Sequence, residues 1–247
     1  MSLHRFFAPT LDPGDELVAL PRDEGEHLTR VLRLGMGDTV SVFNGRGDEF
    51  LARVVEAARR DVRVQLVSRL TPAAESTTPI TLVQAVLKGD KMDDVIRDAV
   101  MLGASAIQPI VTRRTEVTVA ALMRGTRAER WQRIALASAK QSKRAVLPEV
   151  LMPLTFDTWL GEPPQDVRLM LVEPGLDGAE PVSVYRNRPV PHSAAVAVGP
   201  EGGWDPSECA AGAARGLHLV SLGGRTLRAD AVPIAALSVL QFLWDQS

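Results

Sequence analysis

A short apolar run, residues 194–198, ends abruptly in Gly199-Pro200-Glu201-Gly202-Gly203. Small, β-prone residues followed by a cluster of glycine and proline predict a buried strand that opens into a tight loop. Because glycine has no Cβ, the backbone groups of such a loop can approach a ligand closely. Ligands of open α/β sheets bind beyond the carboxyl ends of the strands. The loop is therefore a candidate ligand site, although an ordinary turn requires the same glycines.

Two more predicted strands in the last third of the chain end in turn residues. Residues 168–172 run into Glu173-Pro174-Gly175, and residues 217–221 run into a loop from Leu222 to Arg228. Three strand ends of this kind favour one shared pocket. Backbone groups in these loops could satisfy the edge of an adenine, while Leu222 and Leu227 would supply apolar contact.

Several common chemistries lack their motifs. The chain contains no Gly-x-x-x-x-Gly-Lys-Ser/Thr phosphate loop, no Gly-x-Gly-x-x-Gly first βα turn and no Gly-x-Ser-x-Gly elbow. These absences argue against triphosphate hydrolysis, ordinary dinucleotide binding and esterase chemistry. The four histidines show no metal-ligand spacing, and the single cysteine, Cys209, excludes a multi-cysteine site. We therefore expect no metal.

Composition predicts a globular protein of one large or two modest domains. The chain has 247 residues, of which 45% are hydrophobic and 23% charged. A single cysteine is typical of a reducing compartment, so we expect a cytoplasmic location. The N-terminal residues form no apolar signal segment, and polar residues and Pro233 interrupt the longest apolar stretch, residues 231–244. We therefore expect no signal peptide and no membrane span.

The formal net charge of −2 conceals one strongly basic segment. Between Arg113 and Arg144, nine basic residues stand against two acidic ones, Glu116 and Glu129. The acidic partners that would form i,i+4 pairs are mostly missing. The segment therefore favours a polyanionic partner, and a solvated helix face is the alternative.

Residues 70–79, rich in Pro, Ser, Thr and Ala, predict a linker, so we divide the chain into domains over 1–72 and 73–247. In the first domain, Asp23 as N-cap and Glu26 three residues later predict a helix on which Arg30 and Arg33 lie near one another. The predicted strands of this domain are 17–20, 39–43, 49–55 and 62–67, with a turn at 44–48. These elements predict a small β-rich barrel with one helix.

In the second domain the predicted strands alternate with helices. The predicted strands are 80–87, 106–111, 168–172, 194–198 and 217–221. The predicted helices are one from Asp90 to Gly103, a basic helix over 126–144 and a final helix over 231–246. This order indicates an α/β fold with a mostly parallel sheet covered on both faces.

The Gly199 loop and the segment Leu222-Gly223-Gly224-Arg225-Thr226-Leu227-Arg228 together resemble the paired signature of the SPOUT class of RNA methyltransferases. More closely, the chain resembles the family that methylates N3 of a uridine in 16S ribosomal RNA of the small ribosomal subunit. Further matching segments follow in the expected order along almost the whole chain: His4-Arg5-Phe6-Phe7, His27-Leu28, Val31-Leu32-Arg33, Phe43-Asn44-Gly45-Arg46-Gly47, Lys88-Gly89-Asp90-Lys91-Met92 and Gln141-Ser142-Lys143-Arg144.

The resemblance implies a PUA-like β-barrel that binds RNA, followed by a SPOUT α/β domain with a C-terminal trefoil knot. It also implies a homodimer that binds S-adenosylmethionine within the knot loops. The implied cofactor residues are Glu173, Gly199, Pro200, Glu201, Gly202, Gly203, Leu222, Gly223, Thr226, Leu227 and Arg228. The residues expected to contact RNA are Arg5, Arg30, Arg33, Lys88, Arg113, Gln141, Ser142, Lys143 and Arg144.

For catalysis at uridine N3 we expect Arg228 to stabilise negative charge on the uracil oxygens, with Asp230 as a candidate proton acceptor. The family pattern continues Arg-x-Glu-Thr-Ala, whereas here Arg228 is followed by Ala229-Asp230-Ala231-Val232, so the threonine hydroxyl is missing. As an alternative of equal weight, Asp230 caps the last helix. A second departure is Lys140, where the family usually has an acidic residue, and it raises the local positive charge.

Two other functions stay open on the sequence alone. The first is an RNA-binding or ribosome-assembly factor without catalytic activity, which the altered segment after Arg228 supports. The second is a SPOUT enzyme that methylates ribose 2′-hydroxyls, against which the N-terminal barrel and the length of the match argue.

Overall fold

The computed structural model describes residues 3–58 and 61–245. Contacts within the chain divide it into two compact units. The first spans Met1–Glu75 and Ala139–Leu147, and the second spans Ser76–Ser138 and Pro148–Ser247. The domain boundary expected at residue 72 takes no account of Ala139–Leu147, which groups with the first unit.

The first unit is built on a five-stranded sheet in the order β1-β3-β4-β5-β2. Its strands are β1 (Arg5–Phe7), β2 (Leu17–Ala19), β3 (Thr39–Phe43), β4 (Glu49–Ala58) and β5 (Asp61–Arg69). Strand β1 runs parallel to β3, and the other pairs are antiparallel. Along β5, Val62 and Val64 are buried while Arg63 and Gln65 are exposed, which is the alternation of a sheet with one covered face.

A turn joins β3 to β4 as the sequence predicts. The Asn44 Oδ1 atom accepts hydrogen bonds from the backbone N–H groups of Arg46 (2.8 Å) and Asp48 (3.2 Å). Gly45 and Gly47 have φ angles of 78° and 106°, which other residues rarely adopt. At Gly45 a Cβ would also lie 2.9 Å from the Phe7 ring. Both the φ angle and the limited space therefore favour glycine at this position.

Residues 139–147 join the first unit through backbone groups far away in the sequence. The N–H of Gly47 donates to the carbonyl of Ala145 (3.1 Å), and the N–H of Leu147 donates to the carbonyl of Gly45 (2.9 Å). Local periodicity carries no information about such a pairing, because the partners are about a hundred residues apart in the printed sequence.

The helix of the first unit differs from its predicted form. Helix α1 (Arg22–Glu26) begins after Pro21, so Asp23 lies in its first turn and is not the N-cap. The chain continues through a π-helical turn over His27–Val31. Arg33 then adopts a φ of 57°, outside the helix, so the expected i,i+3 spacing of Arg30 and Arg33 along one helix is wrong.

The second unit contains an eight-stranded parallel sheet with the order β11-β13-β10-β12-β6-β7-β8, in which β9 also pairs with β7. Its strands are β6 (Ile80–Ala85), β7 (Ala106–Val111), β8 (Glu149–Val150), β9 (Leu154–Thr155), β10 (Val167–Leu171), β11 (Glu180–Pro181), β12 (Ala194–Val198) and β13 (His218–Ser221). The α-helices that follow α1 along the chain are α2 (Lys91–Met101), α3 (Val119–Arg124), α4 (Arg127–Ser142), α5 (Phe156–Leu160), α6 (Pro206–Ala214) and α7 (Val232–Trp244). The last turn of α4, residues 139–142, groups with the first unit. The predicted α/β class is confirmed.

Helices cover the centre of this sheet on both faces. Every residue of β12 is buried. Ala195 and Ala197 pack in one cluster with Phe156 and Trp159 of α5, while α7 contacts β12 and β6 and packs against α2. Small side chains on β12 allow this close approach from both sides. The predicted final helix extended to residue 246, which lies outside the described residues.

Candidate functional site

The carboxyl ends of three neighbouring parallel strands lie side by side in the second unit. In the strand register Leu171 of β10 pairs with Val198 of β12 and with Val220 of β13. The loops that follow these strands line a cavity of about 340 Å³. This volume is within the range of small-molecule sites, which is about 300–1,000 Å³.

Nine of the eleven residues that the resemblance assigns to a cofactor line this cavity: Glu173, Gly199, Pro200, Glu201, Gly203, Leu222, Thr226, Leu227 and Arg228. Gly202 and Gly223 belong to the same loops but are not in the lining. Asp230 also lines the cavity. Apart from the family resemblance, the sequence predicted that these positions lie together because the ends of parallel strands share one edge of the sheet.

Trp204 explains why the first loop begins with glycine. The indole Nε1 donates a hydrogen bond to the carbonyl of Leu171 (2.8 Å), which ties the loop to the neighbouring strand. A Cβ on Gly199 would lie 3.1 Å from Nε1 and 3.2 Å from the adjacent ring carbon. A side chain at residue 199 would therefore displace the indole and widen the loop.

Glu201 fastens the same loop to the start of α2. Its Oε1 atom accepts hydrogen bonds from the backbone N–H of Lys88 and from the Lys91 ammonium, both at 3.1 Å. Partial burial works to raise the pKa of Glu201, but these hydrogen bonds and the Lys91 charge outweigh it, and the pKa lies below its usual value. The carboxylate is thus held ionised.

Arg228 and Asp230 form a bidentate ion pair at the cavity wall. The guanidinium Nε and Nη2 atoms donate to the two carboxylate oxygens at 3.1 and 3.0 Å. The side chains are 75% and 29% exposed. Partial burial works to raise the pKa of Asp230, but hydrogen bonds from Arg228 outweigh it and hold the pKa below its usual value.

The alternative role expected for Asp230, capping the last helix, is wrong. The residue before α7 is Ala231, and no side chain caps this end of the helix. The carboxylate of Asp230 is occupied by Arg228 instead. Pro233 lies in the first turn of α7, where its missing N–H costs no intrahelical hydrogen bond.

Sequence analysis missed several residues that line the cavity: Lys91, Arg114, Trp204, Cys209 and Arg225. Arg225 lies inside the matched motif, and Arg114 was counted only as part of the basic segment. The residues after Trp204 could have predicted the start of a helix, since Asp205 and Glu208 have capping-box spacing and form a capping box at the start of α6. Glu208 in addition accepts a hydrogen bond from the backbone N–H of Arg113 (2.8 Å), which fixes the loop after β7.

Two residues expected to contact RNA are already bound to other groups of the first unit. All five N–H groups of Arg5 are engaged: Nε and Nη2 bind the Glu49 carboxylate at 2.9 Å, and the remaining donors bind the carbonyls of Ala139, Lys140 and Arg144. Arg144 is buried and pairs with Glu75. Contact of these two guanidiniums with RNA stays a prediction, and the structure disfavours it, because both groups already neutralise carboxylates.

The basic segment carries less free charge than its sequence indicates. Three of its cations pair closely with carboxylates outside it: Arg130 with Asp90 and Asp93, Lys140 with Glu24, and Arg144 with Glu75. A fourth, Arg114, lies 3.9 Å from Asp205, at the limit of an ion pair, and keeps most of its charge. The positive charge that Lys140 adds is thus balanced by the Glu24 carboxylate. In residues 3–58 and 61–245, no carboxylate lies within 4.0 Å of the other five: Arg113, Arg124, Arg127, Arg133 and Lys143.

The remaining residues expected to contact RNA are at the surface or partly exposed. Arg30, Arg33, Arg113, Gln141 and Lys143 are exposed, and Ser142 is half-buried. Arg30 lies 3.7 Å from Glu26, and Lys88 pairs with Glu116 at 2.6 Å with both side chains mostly exposed. Exposed pairs of this kind contribute little stability, so a phosphate can replace the carboxylate.

Two further properties concern only the described part of the chain. None of its helices is long and apolar enough to cross a membrane. None of its groups of His, Cys, Asp and Glu side chains is arranged to hold a metal ion.

Comparisons with known proteins agree with this architecture. Residues 74–241 match the family model of the RNA methyltransferase domain, and residues 20–67 match that of the RNA methyltransferase PUA domain.

Individual relatives cover most of the chain. Ribosomal RNA small subunit methyltransferase E of Synechocystis sp. is 35% identical over 230 residues, which is 92% of this chain and 74% of that protein. The protein of the same name from Rickettsia conorii is 28% identical and covers 98% of this chain and 97% of its own length. A crystal structure of ribosomal RNA small subunit methyltransferase E from Neisseria gonorrhoeae bound to S-adenosyl methionine has 30% identity, a TM-score of 0.88 and full coverage of both chains.

Proposed function

Because this chain belongs to the RNA methyltransferase family, we propose that it uses S-adenosylmethionine to methylate N3 of a uridine in 16S ribosomal RNA of the small subunit. The observation that carries the proposal is the cavity at the ends of β10, β12 and β13, with Arg228 and Asp230 in its wall. The relative from Neisseria gonorrhoeae, which shares the whole fold, binds S-adenosyl methionine.

The residues of the cavity fit this cofactor. Leu171, Leu222 and Leu227 supply apolar walls for an adenine, and the Gly199 loop supplies backbone donors and acceptors. The Glu173 carboxylate, beside Gly203, has no cationic partner within 4.0 Å in the described parts of the chain, so it can balance the positive charge of the cofactor. When bound, S-adenosylmethionine supplies a methyl group activated by its positive sulfur.

The wall residues suit methylation at N3. This nitrogen lies on the Watson–Crick edge, so the target base must be unpaired or flipped out. As its proton leaves, negative charge develops on the uracil oxygens, and the exposed Arg228 guanidinium can exchange Asp230 for one of them. Asp230 is the candidate proton acceptor, but its lowered pKa makes it a weak base. Arg228 therefore has the larger role in this proposal.

Recognition of RNA is assigned to both units. We propose that the domain over 1–72 is a PUA-like β-barrel that binds RNA and that the domain over 73–247 carries the reaction. Phosphate contacts are assigned to the exposed members of the expected set, Arg30, Arg33, Lys88, Arg113, Gln141, Ser142 and Lys143. Affinity for RNA that did not fall with rising salt would contradict this assignment.

Three further properties complete the proposal. We propose a homodimer, which the exposed apolar residues Ile234 and Phe242 of α7 support, since Phe242 is 78% exposed. A monomer in sedimentation at micromolar concentration would contradict it.

We propose that the C-terminal chain is tied in a trefoil knot. When the protein is unfolded by pulling on its two ends, the measured extension should therefore be shorter than the full contour length of the chain. The site of action would be the cytoplasm, where the ribosomal substrate lies.

A direct test incubates the protein with methyl-labelled S-adenosylmethionine and either 16S ribosomal RNA or small subunits. Mass spectrometry of the digested nucleosides should find 3-methyluridine, and a parallel titration should show binding of the methyl donor. Methyl groups on ribose would indicate a 2′-O-methyltransferase instead. Binding of RNA without any methyl transfer would indicate a ribosome-assembly factor. Either result would overturn the proposal.

A further inference from the structure

Four cations line the cavity, and they fall into two classes. Lys91 pairs with Glu201 at 3.1 Å, and Arg228 pairs with Asp230 at 3.0 Å. Arg114 and Arg225 are not neutralised in this way. Asp205 is 3.9 Å from Arg114, at the limit of an ion pair, and in residues 3–58 and 61–245 no carboxylate lies within 4.0 Å of Arg225. Two guanidiniums at the cavity thus retain most of their charge.

Arg114 is held in place by the loop that follows β12. Its Nη1 atom donates to the carbonyl of Gly202 (2.8 Å), and a Cβ at Gly202 would lie 3.4 and 3.5 Å from the Arg114 Cβ and Cδ atoms. The backbone at Gly202 therefore packs beside the stem of Arg114, at a distance where a Cβ would be in ordinary van der Waals contact with it. The Arg114 side chain is 45% exposed, and most of its donors stay available.

Arg225 reaches the cavity from the loop after β13. It follows Gly223 and Gly224, and Gly223 has a φ of 135°. Arg225 is exposed. Glycine suits this backbone conformation, which other residues rarely adopt. One guanidinium is therefore held by a backbone carbonyl, and the other projects from an exposed loop that requires its glycine.

The charge of the proposed cofactor does not account for these two arginines. S-adenosylmethionine carries a sulfonium, an ammonium and a carboxylate, so its net charge is positive. Two unneutralised guanidiniums beside it are repelled by that charge overall. A polyanion would be attracted, and guanidinium groups bind phosphate through two parallel hydrogen bonds.

We propose that Arg114 and Arg225 bind the RNA backbone phosphates next to the target nucleotide and so direct its base into the cavity. This inference rests on the proposed function and adds the place where the substrate strand crosses the cavity. Neither arginine is among the RNA contacts expected from the sequence. Their role is positioning of the substrate, so their loss should weaken RNA binding even when no methyl donor is present.

The test measures RNA and cofactor binding separately. Filter binding of labelled, transcribed 16S ribosomal RNA, without S-adenosylmethionine, compares Arg114→Ala, Arg225→Ala and the double variant with the unaltered protein at several salt concentrations. We expect each single change to weaken RNA binding about tenfold and to reduce the slope of log affinity against log salt by about 0.9. Calorimetry should find the affinity for S-adenosylmethionine changed less than about twofold, which also reports that the cavity is folded.

Arg186→Ala is the matched control, because Arg186 is exposed in the same unit and does not line the cavity. It should leave RNA binding nearly unchanged. An equal loss with Arg186→Ala would show a general charge effect and overturn the inference. Weaker S-adenosylmethionine binding with normal RNA binding would also overturn it, since the arginines would then hold the cofactor carboxylate. If the unaltered protein makes 3-methyluridine while the variants bind RNA normally, only this inference fails.

Discussion

Two arginine–carboxylate pairs in this chain have nearly the same geometry and opposite surroundings. Arg5 and Glu49 in the first unit meet at 2.9 Å, with side chains 10% and 8% exposed. Arg228 and Asp230 in the second unit meet at 3.0 and 3.1 Å, with side chains 75% and 29% exposed. Burial, and not bond length, separates a structural pair from one that can act on a ligand.

The difference follows from the cost of removing charge from water. A buried pair whose partner is withdrawn leaves an uncompensated charge, so Arg5 and Glu49 stay together as long as the unit is folded. An exposed pair is nearly balanced by solvation, so Arg228 can leave Asp230 for another anion at little cost. We therefore expect the same kind of ion pair to be structural in the first unit and exchangeable in the second.

The largest expected effect is on stability in the first unit. Arg5→Ala should lower the free energy of unfolding by about 3–5 kcal/mol, because Glu49 would stay buried without its counter-ion. The carbonyls of Ala139, Lys140 and Arg144 would lose their donor as well. Urea unfolding followed by circular dichroism measures the change.

Arg69→Ala is the matched control, since the Arg69 side chain, which pairs with Asp48 in the same unit, is 63% exposed. It should cost less than about 1 kcal/mol. The double variant Arg5→Met with Glu49→Leu removes both charges and should recover part of the loss. If Arg5→Ala proved no more costly than Arg69→Ala, burial would not distinguish the two kinds of pair.

A smaller free-energy change is expected for catalysis in the second unit. Arg228→Ala should slow methyl transfer about 100-fold, a typical result when one donor to a developing anion is removed, with little change in stability. Single-turnover assays with 16S ribosomal RNA measure the rate. Arg228→Lys, which keeps the charge but loses the planar donor pair, should be intermediate. Full turnover by Arg228→Ala with normal cofactor binding would contradict the role assigned to Arg228.

The smallest effect concerns pH. Asp230 has a lowered pKa in the folded protein, so its pair with Arg228 stabilises the fold at neutral pH, and this contribution is lost as the pH falls through the folded pKa. Because the pair is exposed, Asp230→Asn should cost less than about 0.5 kcal/mol at neutral pH. The difference from the unaltered protein should begin to shrink below about pH 4, the ordinary pKa of an aspartate, and should vanish only below the lowered pKa of the folded protein. A difference that grew on acidification, in unfolding series at several pH values, would have the wrong sign.

Part of the fold could be predicted from local patterns alone. The strands Thr39–Phe43, Ala106–Val111 and Ala194–Val198 have their predicted bounds, because apolar β-prone runs end there in turn residues or polar loops. Strand β1 (Arg5–Phe7) was missed, since three residues are too few to show alternation. The short helix α5 was missed as well, although Thr155 caps it through its side chain.

More of the candidate cavity than of the ion pairing could be predicted from the sequence. Loop composition and the common edge of parallel strands were enough to bring Glu173, Gly199 and Leu222 together. The ion-pair partner of each basic side chain was not predictable in this way. Lys140 pairs with Glu24 and Arg144 with Glu75, across sequence separations of 116 and 69 residues. Charge counted along the chain does not include such partners.

The sequence by itself determined the α/β order of elements, the glycine-rich loops and the family that they resemble, because these depend on neighbours along the chain. Only the tertiary structure decided that Arg5 pairs with Glu49 and Arg144 with Glu75, that Asp230 pairs with Arg228 and does not cap α7, and that Arg114 binds the carbonyl of Gly202 at the cavity. The physical reason is that burial and ion pairing depend on which distant segments come into contact, and local periodicity does not predict those contacts.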